Sequence, residues 1–106
     1  MFVVRVQLKI RENQRERLRA YVTSETAAAR SLPGCEEYAF CEDISDPLRV
    51  LLYEEWATRS EFEAYKASAI FAASGAALGP MLAEPPRSAY YESEDVFASC
   101  KLDLPV

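Results

Sequence analysis

The residues best suited to chemistry lie in the segment YEEWATRSEFEAYKASAIF, residues 53–71. Glu54 and Glu55 end a hydrophobic run, and alternation along a strand would turn one of the two carboxylates inwards. A carboxylate in an apolar cavity has a raised pKa and could accept a phenolic proton. Because burying an unpaired charge is costly, the alternative is an ion pair with an arginine of a neighbouring strand, such as Arg5, Arg49 or Arg87.

Two aromatic residues follow in the same segment. Tyr65 lies on a predicted helix, where it could hydrogen-bond a substrate hydroxyl or a developing oxyanion. As a general base it would be poor, because the reference pKa of a phenol is about 10. The alternative for Tyr65 is a buried ring with its hydroxyl in water. Trp56 could stack on a planar substrate, or it could simply fill the corner between sheet and helix.

The composition excludes several classes of function. The 106-residue chain contains no histidine, so imidazole catalysis and histidine-ligated metals or haem are excluded. A net charge of −5 argues against nucleic-acid and anionic membrane partners, and no apolar run is long enough to span a bilayer. Cys35 and Cys41 are too far apart on one predicted strand to pair, and no CxxC occurs. We therefore expect reduced thiols, no metal and a cytoplasmic location.

Hydrophobic periodicity predicts one domain spanning residues 1–106, with the element order β-α-β-β-α-β. Strands are predicted at 2–10, 35–44, 49–56 and 87–94, with a turn at 45–48. Helices are predicted to begin at Asn13 with Glu16 as a capping box, at Thr58 or Ser60, and at Ser68. This order is the split βαβ of ferredoxin-like α+β domains, with a four-stranded antiparallel sheet and the helices on one face.

The other face of the predicted sheet has no element of this chain to cover it. It carries Val3 and Gln7 from the first strand and large residues from the other strands. Two sheets packed face to face would cover it, so we expect a symmetric homodimer. The tail, residues 95–106, alternates again and is expected to contact the partner's sheet.

In this arrangement the sequence resembles the antibiotic biosynthesis monooxygenase (ABM) domain family, a group of dimeric α/β barrels. Pro33-Gly34-Cys35 enters the second strand, and Glu54-x-Trp56 is followed by SEFEAYKASAIF. The family typically has E-x-W and then a helix with two histidines, whose positions are occupied here by Tyr65 and Ile70. The resemblance covers nearly the whole chain.

The resemblance implies a cofactor-independent monooxygenase, without metal or flavin, acting on a small aromatic molecule. Such enzymes let an electron-rich phenol, quinol or anthrone ionise and react with oxygen in a cavity between sheet and helices. On this basis Tyr65 and Glu54 are the candidate catalytic residues. The candidate substrate-binding residues are Trp56, Phe71, Phe40, Val6 and Tyr53. The haem-degrading branch has Asn, Trp and His where this chain has Val6, Tyr65 and Gly75, so haem degradation is not expected.

Two other functions stay open. The missing family histidines favour a non-catalytic ligand-binding or structural dimer of the same fold. A lactone isomerase-like enzyme would instead use Glu54 or Glu55 for acid–base chemistry. The small residues of the third helix, among them Gly75, either allow close packing or leave room for a ligand. A space far below the roughly 300 Å³ of an ordinary ligand pocket would favour a filled core without a site.

Overall fold

The computed structural model describes residues 1–94 and residue 96. Four strands and three helices follow in the order β1 (Phe2–Lys9), α1 (Arg15–Arg30), β2 (Cys35–Asp43), β3 (Asp46–Trp56), α2 (Arg59–Lys66), α3 (Ala69–Leu78) and β4 (Arg87–Glu92). The strands form one antiparallel sheet in the order β2-β3-β1-β4. This topology confirms the predicted ferredoxin-like α+β fold. The tail strand predicted beyond residue 95 lies outside the described residues, apart from position 96.

Alternation along the strands assigns each side chain to one of two faces. In β1, Phe2, Val4 and Leu8 are buried against the helices, whereas Val3 and Arg5 lie half-buried on the open face. In β3 the buried residues are Val50, Leu52, Glu54 and Trp56. Because side chains alternate with a period of two, every second residue of β3 therefore points away from the helices. The helix-facing side of the sheet carries the core, and the other side is partly open to solvent.

The core consists of two adjoining clusters between sheet and helices. The first contains Phe2, Val4, Ala29, Tyr38, Leu52, Trp56, Phe62 and Tyr65. The second contains Leu8, Ile10, Leu18, Val50, Leu78, Met81 and Leu82. Val6 and Phe40 pack against both clusters and so join them. Each large apolar side chain stabilises the fold by about 1.5–3 kcal/mol when it is fully buried.

The connection between β2 and β3 is tighter than predicted. Asp43 pairs with Asp46 across a turn of two residues, so β3 begins three residues earlier than expected. The carboxylate of Asp43 accepts hydrogen bonds from the backbone N–H and the hydroxyl of Ser45, at 2.8 and 2.7 Å. Pro47 is tolerated inside the strand because the pairing of β3 with β1 starts only at Arg49.

Helix α1 also begins differently from the prediction. A 3₁₀ turn at Glu12–Gln14 precedes it, and Gln14 at its N-cap makes no side-chain capping bond, so the predicted Asn13 capping box is wrong. The starts of the other two helices are capped by hydroxyl groups. Thr58 accepts from the N–H of Glu61 at 3.2 Å, and Ser68 accepts from the N–H of Phe71 at 3.3 Å. Within the described part of the chain, none of the helices has the length and apolar character needed to span a bilayer.

Two glycines provide a test of these local constraints. Gly34, at the entry to β2, has φ +79°, and a Cβ there would collide with the carboxyl group of Glu61. We expect Gly34→Ala to lower the free energy of unfolding by about 1–2 kcal/mol, because the left-handed conformation disfavours a side chain. Gly75 lies in α3 with nothing within 4 Å of an added Cβ, so Gly75→Ala should stabilise by up to about 1 kcal/mol. Urea denaturation of both variants measures the difference, and a loss of stability in Gly75→Ala as large as that in Gly34→Ala would contradict this assignment.

Candidate functional site

A cavity of about 290 Å³ lies between the helix-facing side of the sheet and helices α2 and α3. Its wall is mostly apolar. The side chains in the wall that carry polar atoms are Tyr38, Glu54, Tyr65, Ser74, Ser88 and Tyr90. Ligand sites in proteins are typically apolar cavities from about 300 Å³ upwards with a few polar groups that orient the ligand. The cavity therefore suits a small, largely apolar molecule, and the space between sheet and helices is not filled by side chains.

The cavity exists because several residues of α3 that face it have small side chains or none. Ser74, Gly75 and Gly79 line the cavity from α3 and the residue that follows it. A Cβ added at Gly75 or Gly79 would meet nothing within 4 Å. The small residues of α3 thus leave room next to the sheet, which is one of the two outcomes that the sequence left open.

Glu54 contributes a buried carboxyl group to the cavity wall, and the pKa of this carboxyl is raised. It lies on the helix-facing side of β3 with 3% of its surface exposed. Burial raises the pKa of this carboxyl to about 7, the hydrogen bond from Trp56 lowers it, and the charge of Glu25 raises it further. A carboxyl with a pKa near neutrality can both accept and return a proton under ordinary conditions.

Trp56, the last residue of the E-x-W motif, holds the carboxyl of Glu54 through a hydrogen bond. Nε1 of Trp56 donates a hydrogen bond to Oε1 of Glu54 at 2.9 Å. The two residues are neighbours on one face of β3, because they are two positions apart along the strand. Among the described residues, Oε2 of Glu54 receives no hydrogen bond and the side chain forms no ion pair, so the expected alternative of an arginine partner is wrong. Glu55 faces the open side of the sheet and accepts a hydrogen bond from Tyr53.

Tyr65 directs its hydroxyl into the protein interior rather than into solvent. Its oxygen lies 3.0 Å from the hydroxyl of Tyr38, and the Tyr38 hydroxyl donates to Oε1 of Glu25 at 2.8 Å. The other oxygen of Glu25, Oε2, accepts from the hydroxyl of Tyr21 at 2.9 Å. Burial raises the pKa of Tyr65 and of Tyr38 above the ordinary value for a phenol, so both keep their protons at neutral pH.

The ring of Tyr65 is held by aromatic contacts on several sides. Trp56 stacks on it with ring centroids 5.0 Å apart and an interplanar angle of 22°. Phe71 meets it edge-on at 5.4 Å and Tyr38 at 6.1 Å. Each such aromatic pair contributes about 0.5–1.5 kcal/mol beyond the area that it buries. The position of the Tyr65 hydroxyl is therefore fixed by packing as well as by its hydrogen bond.

The candidate residues divide into three groups by position. The structure brings Val6, Glu54, Tyr65 and Phe71 together in the cavity wall. Trp56 and Phe40 instead pack in the core behind the wall, where Trp56 is fully buried. Tyr53, expected as a substrate contact, lies on the opposite face of the sheet, because neighbouring residues of a strand point to opposite sides.

The sequence interpretation missed Glu25 and the hydroxyl of Tyr38. Glu25 has 5% of its surface exposed, and it occupies the apolar stripe of α1 between Val22 and Ala29. An acidic residue at a stripe position, three residues after Val22 and four before Ala29, is a signal that could have identified it. Among residues 1–94 and 96, no group of three acidic or cysteine side chains is arranged to hold a metal ion. Burial also raises the pKa of the Cys35 thiol to about 11, so this cysteine stays protonated.

Comparisons of the sequence and of the fold with known proteins lead to the same family description. The family model described as antibiotic biosynthesis monooxygenase matches residues 1–76, which include both Glu54 and Tyr65. A candidate antibiotic biosynthesis monooxygenase from Nitrosomonas europaea has a similar structure (TM-score 0.82, 22% identity, 88% of this chain and 98% of that chain). No curated protein matches the sequence.

Two further solved structures have the same architecture. One is a candidate antibiotic biosynthesis monooxygenase from Deinococcus radiodurans (TM-score 0.83, 22% identity, 91% of this chain and 95% of that chain). The other is a conserved protein from Bacteroides thetaiotaomicron described as a possible oxidoreductase (TM-score 0.79, 18% identity, 87% of this chain and 96% of that chain). At these identities the likeness shows the fold alone, and the match to the family model carries the relationship.

The raised pKa of Glu54 makes a prediction about stability. Between its ordinary value of 4.5 and about 7, the folded protein binds this proton more tightly than the unfolded chain, so stability falls as the pH rises through this window. The loss amounts to about 3 kcal/mol and is complete above neutrality. We expect Glu54→Gln to remove this decline, as measured by urea denaturation from pH 4 to 8. Glu55→Gln on the opposite face is the matched control and should keep it, and a decline of equal size in both variants would contradict the assignment.

Proposed function

The chain belongs to the antibiotic biosynthesis monooxygenase family, and from this premise we propose that it is a cofactor-independent monooxygenase that oxidises a small electron-rich aromatic. One observation carries the proposal: Glu54, a buried carboxyl with a pKa of about 7, lies in the wall of an apolar cavity of ligand size. Such a group would accept the proton of a bound phenol, quinol or anthrone. The resulting anion is the electron-rich form that reacts with molecular oxygen.

The pKa of Glu54 decides which residue is the better proton acceptor. Transfer from a phenol of pKa about 10 to an ordinary glutamate costs about 8 kcal/mol at 1.36 kcal/mol for each unit of pKa. Transfer to Glu54, whose pKa is about 7, costs about 4 kcal/mol on the same scale. Tyr65 keeps its own proton because burial raises its pKa, so it acts by hydrogen bonding and not as the base. Burial of Glu54 therefore removes about half of the cost of ionising the substrate.

The proposed reaction balances without an external reductant. One atom of O₂ enters the substrate at carbon, and the other leaves as water with two hydrogens of the substrate. The substrate supplies all the electrons, as in the conversion of an anthrone to a quinone. The protein's contribution is to hold the ring near Tyr65 and Phe71, to exclude water and to keep the released proton on Glu54 until the product forms.

Two alternatives are distinguished from this proposal by different observations. The open cavity disfavours a purely structural dimer with a filled core, but a binding protein without turnover would have the same cavity. A lactone isomerase-like enzyme would use the same carboxyl of Glu54 for proton transfer and would consume no oxygen. Oxygen uptake therefore separates the first candidate from both alternatives.

We also propose that the protein acts as a homodimer in the cytoplasm. The open face of the sheet carries half-buried apolar side chains at its centre, including Leu51 from β3, with Val3 beside Tyr91 in the register of β1 and β4. Basic side chains on this face come from Arg5 and Arg87, and Lys9 lies opposite Arg49. Acidic side chains lie where Glu37 pairs with Glu55. A two-fold axis could bring the basic region of one copy against the acidic region of the other.

Substitution at the centre of the open face tests the dimer. We expect Leu51→Arg to shift the protein to a monomer in sedimentation velocity, because a buried unpaired charge would oppose the contact of the two sheets. Ile44→Arg is the matched control, since Ile44 is fully exposed at the turn between β2 and β3. A wild-type protein that sediments as a monomer at micromolar concentration would refute the proposal.

Oxygen consumption tests the proposed activity. With a panel of hydroquinones and anthrones we expect uptake that rises with pH through about 7, because Glu54 must be ionised to accept the proton. Glu54→Gln should lower the rate by about 10²–10⁴-fold and abolish this pH dependence. Tyr65→Phe should slow the reaction less, since it removes a hydrogen bond only.

The control for this measurement is Glu55→Gln, which changes the neighbouring carboxyl on the face away from the cavity. It should keep both the rate and the pH profile. If the wild-type protein consumes no oxygen above the spontaneous rate across the whole panel, the monooxygenase proposal is wrong.

A further inference from the structure

Four side chains form a buried hydrogen-bond chain that starts at the cavity wall and ends on α1. The hydroxyl oxygens of Tyr65 and Tyr38 are 3.0 Å apart. Tyr38 then contacts Oε1 of Glu25 at 2.8 Å, and Tyr21 contacts Oε2 of Glu25 at 2.9 Å. Tyr38, Tyr65 and Glu25 each have 5% or less of their surface exposed. This arrangement is separate from the pair formed by Glu54 and Trp56.

The carboxylate sets the direction of every hydrogen bond in the chain. Both contacts of Glu25 are hydrogen bonds that a phenol donates, and a phenol has a single proton to donate. Tyr38 and Tyr21 therefore direct their protons to Glu25, one to each oxygen. Since the proton of Tyr38 is already engaged, the contact between the two phenols requires Tyr65 to donate and Tyr38 to accept.

The consequence for Tyr65 is that its proton is engaged by Tyr38 and is not free for a ligand. The lone pairs of the Tyr65 oxygen are its remaining hydrogen-bonding sites, and no donor among the described residues reaches them. Tyr65 lines the cavity, and its ring is fixed by Trp56 and Phe71, so only rotation about the C–O bond could redirect the proton. Such a rotation would break the bond to Tyr38. Towards a ligand, Tyr65 is thus an acceptor, which differs from the expectation that it would donate to an oxyanion.

We propose that Glu25, acting through Tyr38, is a specificity-determining positioning residue that makes Tyr65 a hydrogen-bond acceptor, so that the cavity favours aromatics offering a hydroxyl group at Tyr65. An ether or carbonyl oxygen at the same place would face the lone pairs of Tyr65, which offers it no proton. The inference rests on the proposed function in taking this cavity as the substrate site.

Glu54 and Tyr65 then have different tasks. A ligand oxygen that ionises is repelled by the lone pairs of Tyr65, so the ionising hydroxyl belongs at Glu54. A second hydroxyl, which stays neutral, belongs at Tyr65. A ring with two hydroxyl groups satisfies both residues, and replacement of one hydroxyl by a methoxy group removes one donor. One neutral hydrogen bond corresponds to a preference of about threefold to tenfold for the dihydroxy compound.

Binding measured without oxygen tests this preference independently of turnover. Titration calorimetry under nitrogen would compare hydroquinone with 4-methoxyphenol, and catechol with 2-methoxyphenol. For the wild-type protein we expect the dihydroxy member of at least one pair to bind about threefold to tenfold more tightly. In Glu25→Gln the amide can present either its oxygen or its nitrogen to Tyr38, and in Tyr38→Phe the acceptor for Tyr65 is gone. In Tyr38→Phe the ratio of affinities should therefore fall towards one, and in Glu25→Gln it should fall by a smaller amount, because one of the two amide orientations keeps an acceptor for Tyr38.

Tyr21→Phe is the matched control. It removes one donor from Glu25, as Tyr38→Phe does, but leaves Tyr38 donating to the other oxygen, so the ratio should stay at the wild-type value. The extra methyl group of the ethers is the same in all four proteins, so a change in the ratio reports the hydrogen bond and not the bulk. Urea denaturation of each variant identifies any that is unfolded, and Tyr38→Phe replaces Glu25→Gln if the latter does not fold.

The possible results separate this inference from the proposed activity. An unchanged ratio in Tyr38→Phe, no preference in the wild-type protein, or no saturable binding of either pair overturns the inference. A wild-type protein that shows the preference but consumes no oxygen contradicts the monooxygenase and leaves the specificity intact. Oxygen uptake with equal affinities for both members of each pair supports the monooxygenase and overturns the specificity inference.

Discussion

The burial of two carboxylates is the constraint on which the site depends. Among the described residues neither Glu54 nor Glu25 forms an ion pair, and each is stabilised instead by aromatic donors. Leaving a buried polar group without its partner costs about 1–3 kcal/mol, and more when the group is charged. The indole and phenol groups that supply these donors also fill the core around Trp56 and Tyr38. The same rings therefore carry the stability of the fold and the electrostatics of the cavity.

Local patterns predicted most of the fold. The alternation in β1 and β3 and the hydroxyl caps at Thr58 and Ser68 depend on neighbours within a few residues, and the structure confirms each of them. The errors fall where a longer contact decides the outcome. The β2–β3 turn is set by the pairing of Asp43 with its partner strand, which residue preferences alone do not reveal.

The site was predicted less completely than the fold because its contacts join distant segments. Alternation showed that Glu54 and Glu55 face opposite sides, but only the packed helices show which side is the interior. The same rule excludes Tyr53 from the cavity once Glu54 faces it. The contacts of Tyr38 with Glu25 and Tyr65 span 13 and 27 residues, so no motif within one segment records them. The resemblance drew attention to Tyr65 but carried no information about the direction of its hydrogen bond.

The size of the cavity depends on the small residues of α3, whereas its polar groups are positioned by other elements. The hydrogen-bond partners of Glu54 and Tyr65 lie on β3 and β2, whereas Gly75 and Gly79 border the space from α3 and the residue after it. A Cβ at Gly75 would enter this space with no other atom within 4 Å. Substitution at this position can therefore change which molecules fit while the hydrogen bonds of Glu54 and Tyr65 stay in place. One wall of the cavity is fixed by the core and the other can vary, so the size of the cavity can change without rebuilding the core.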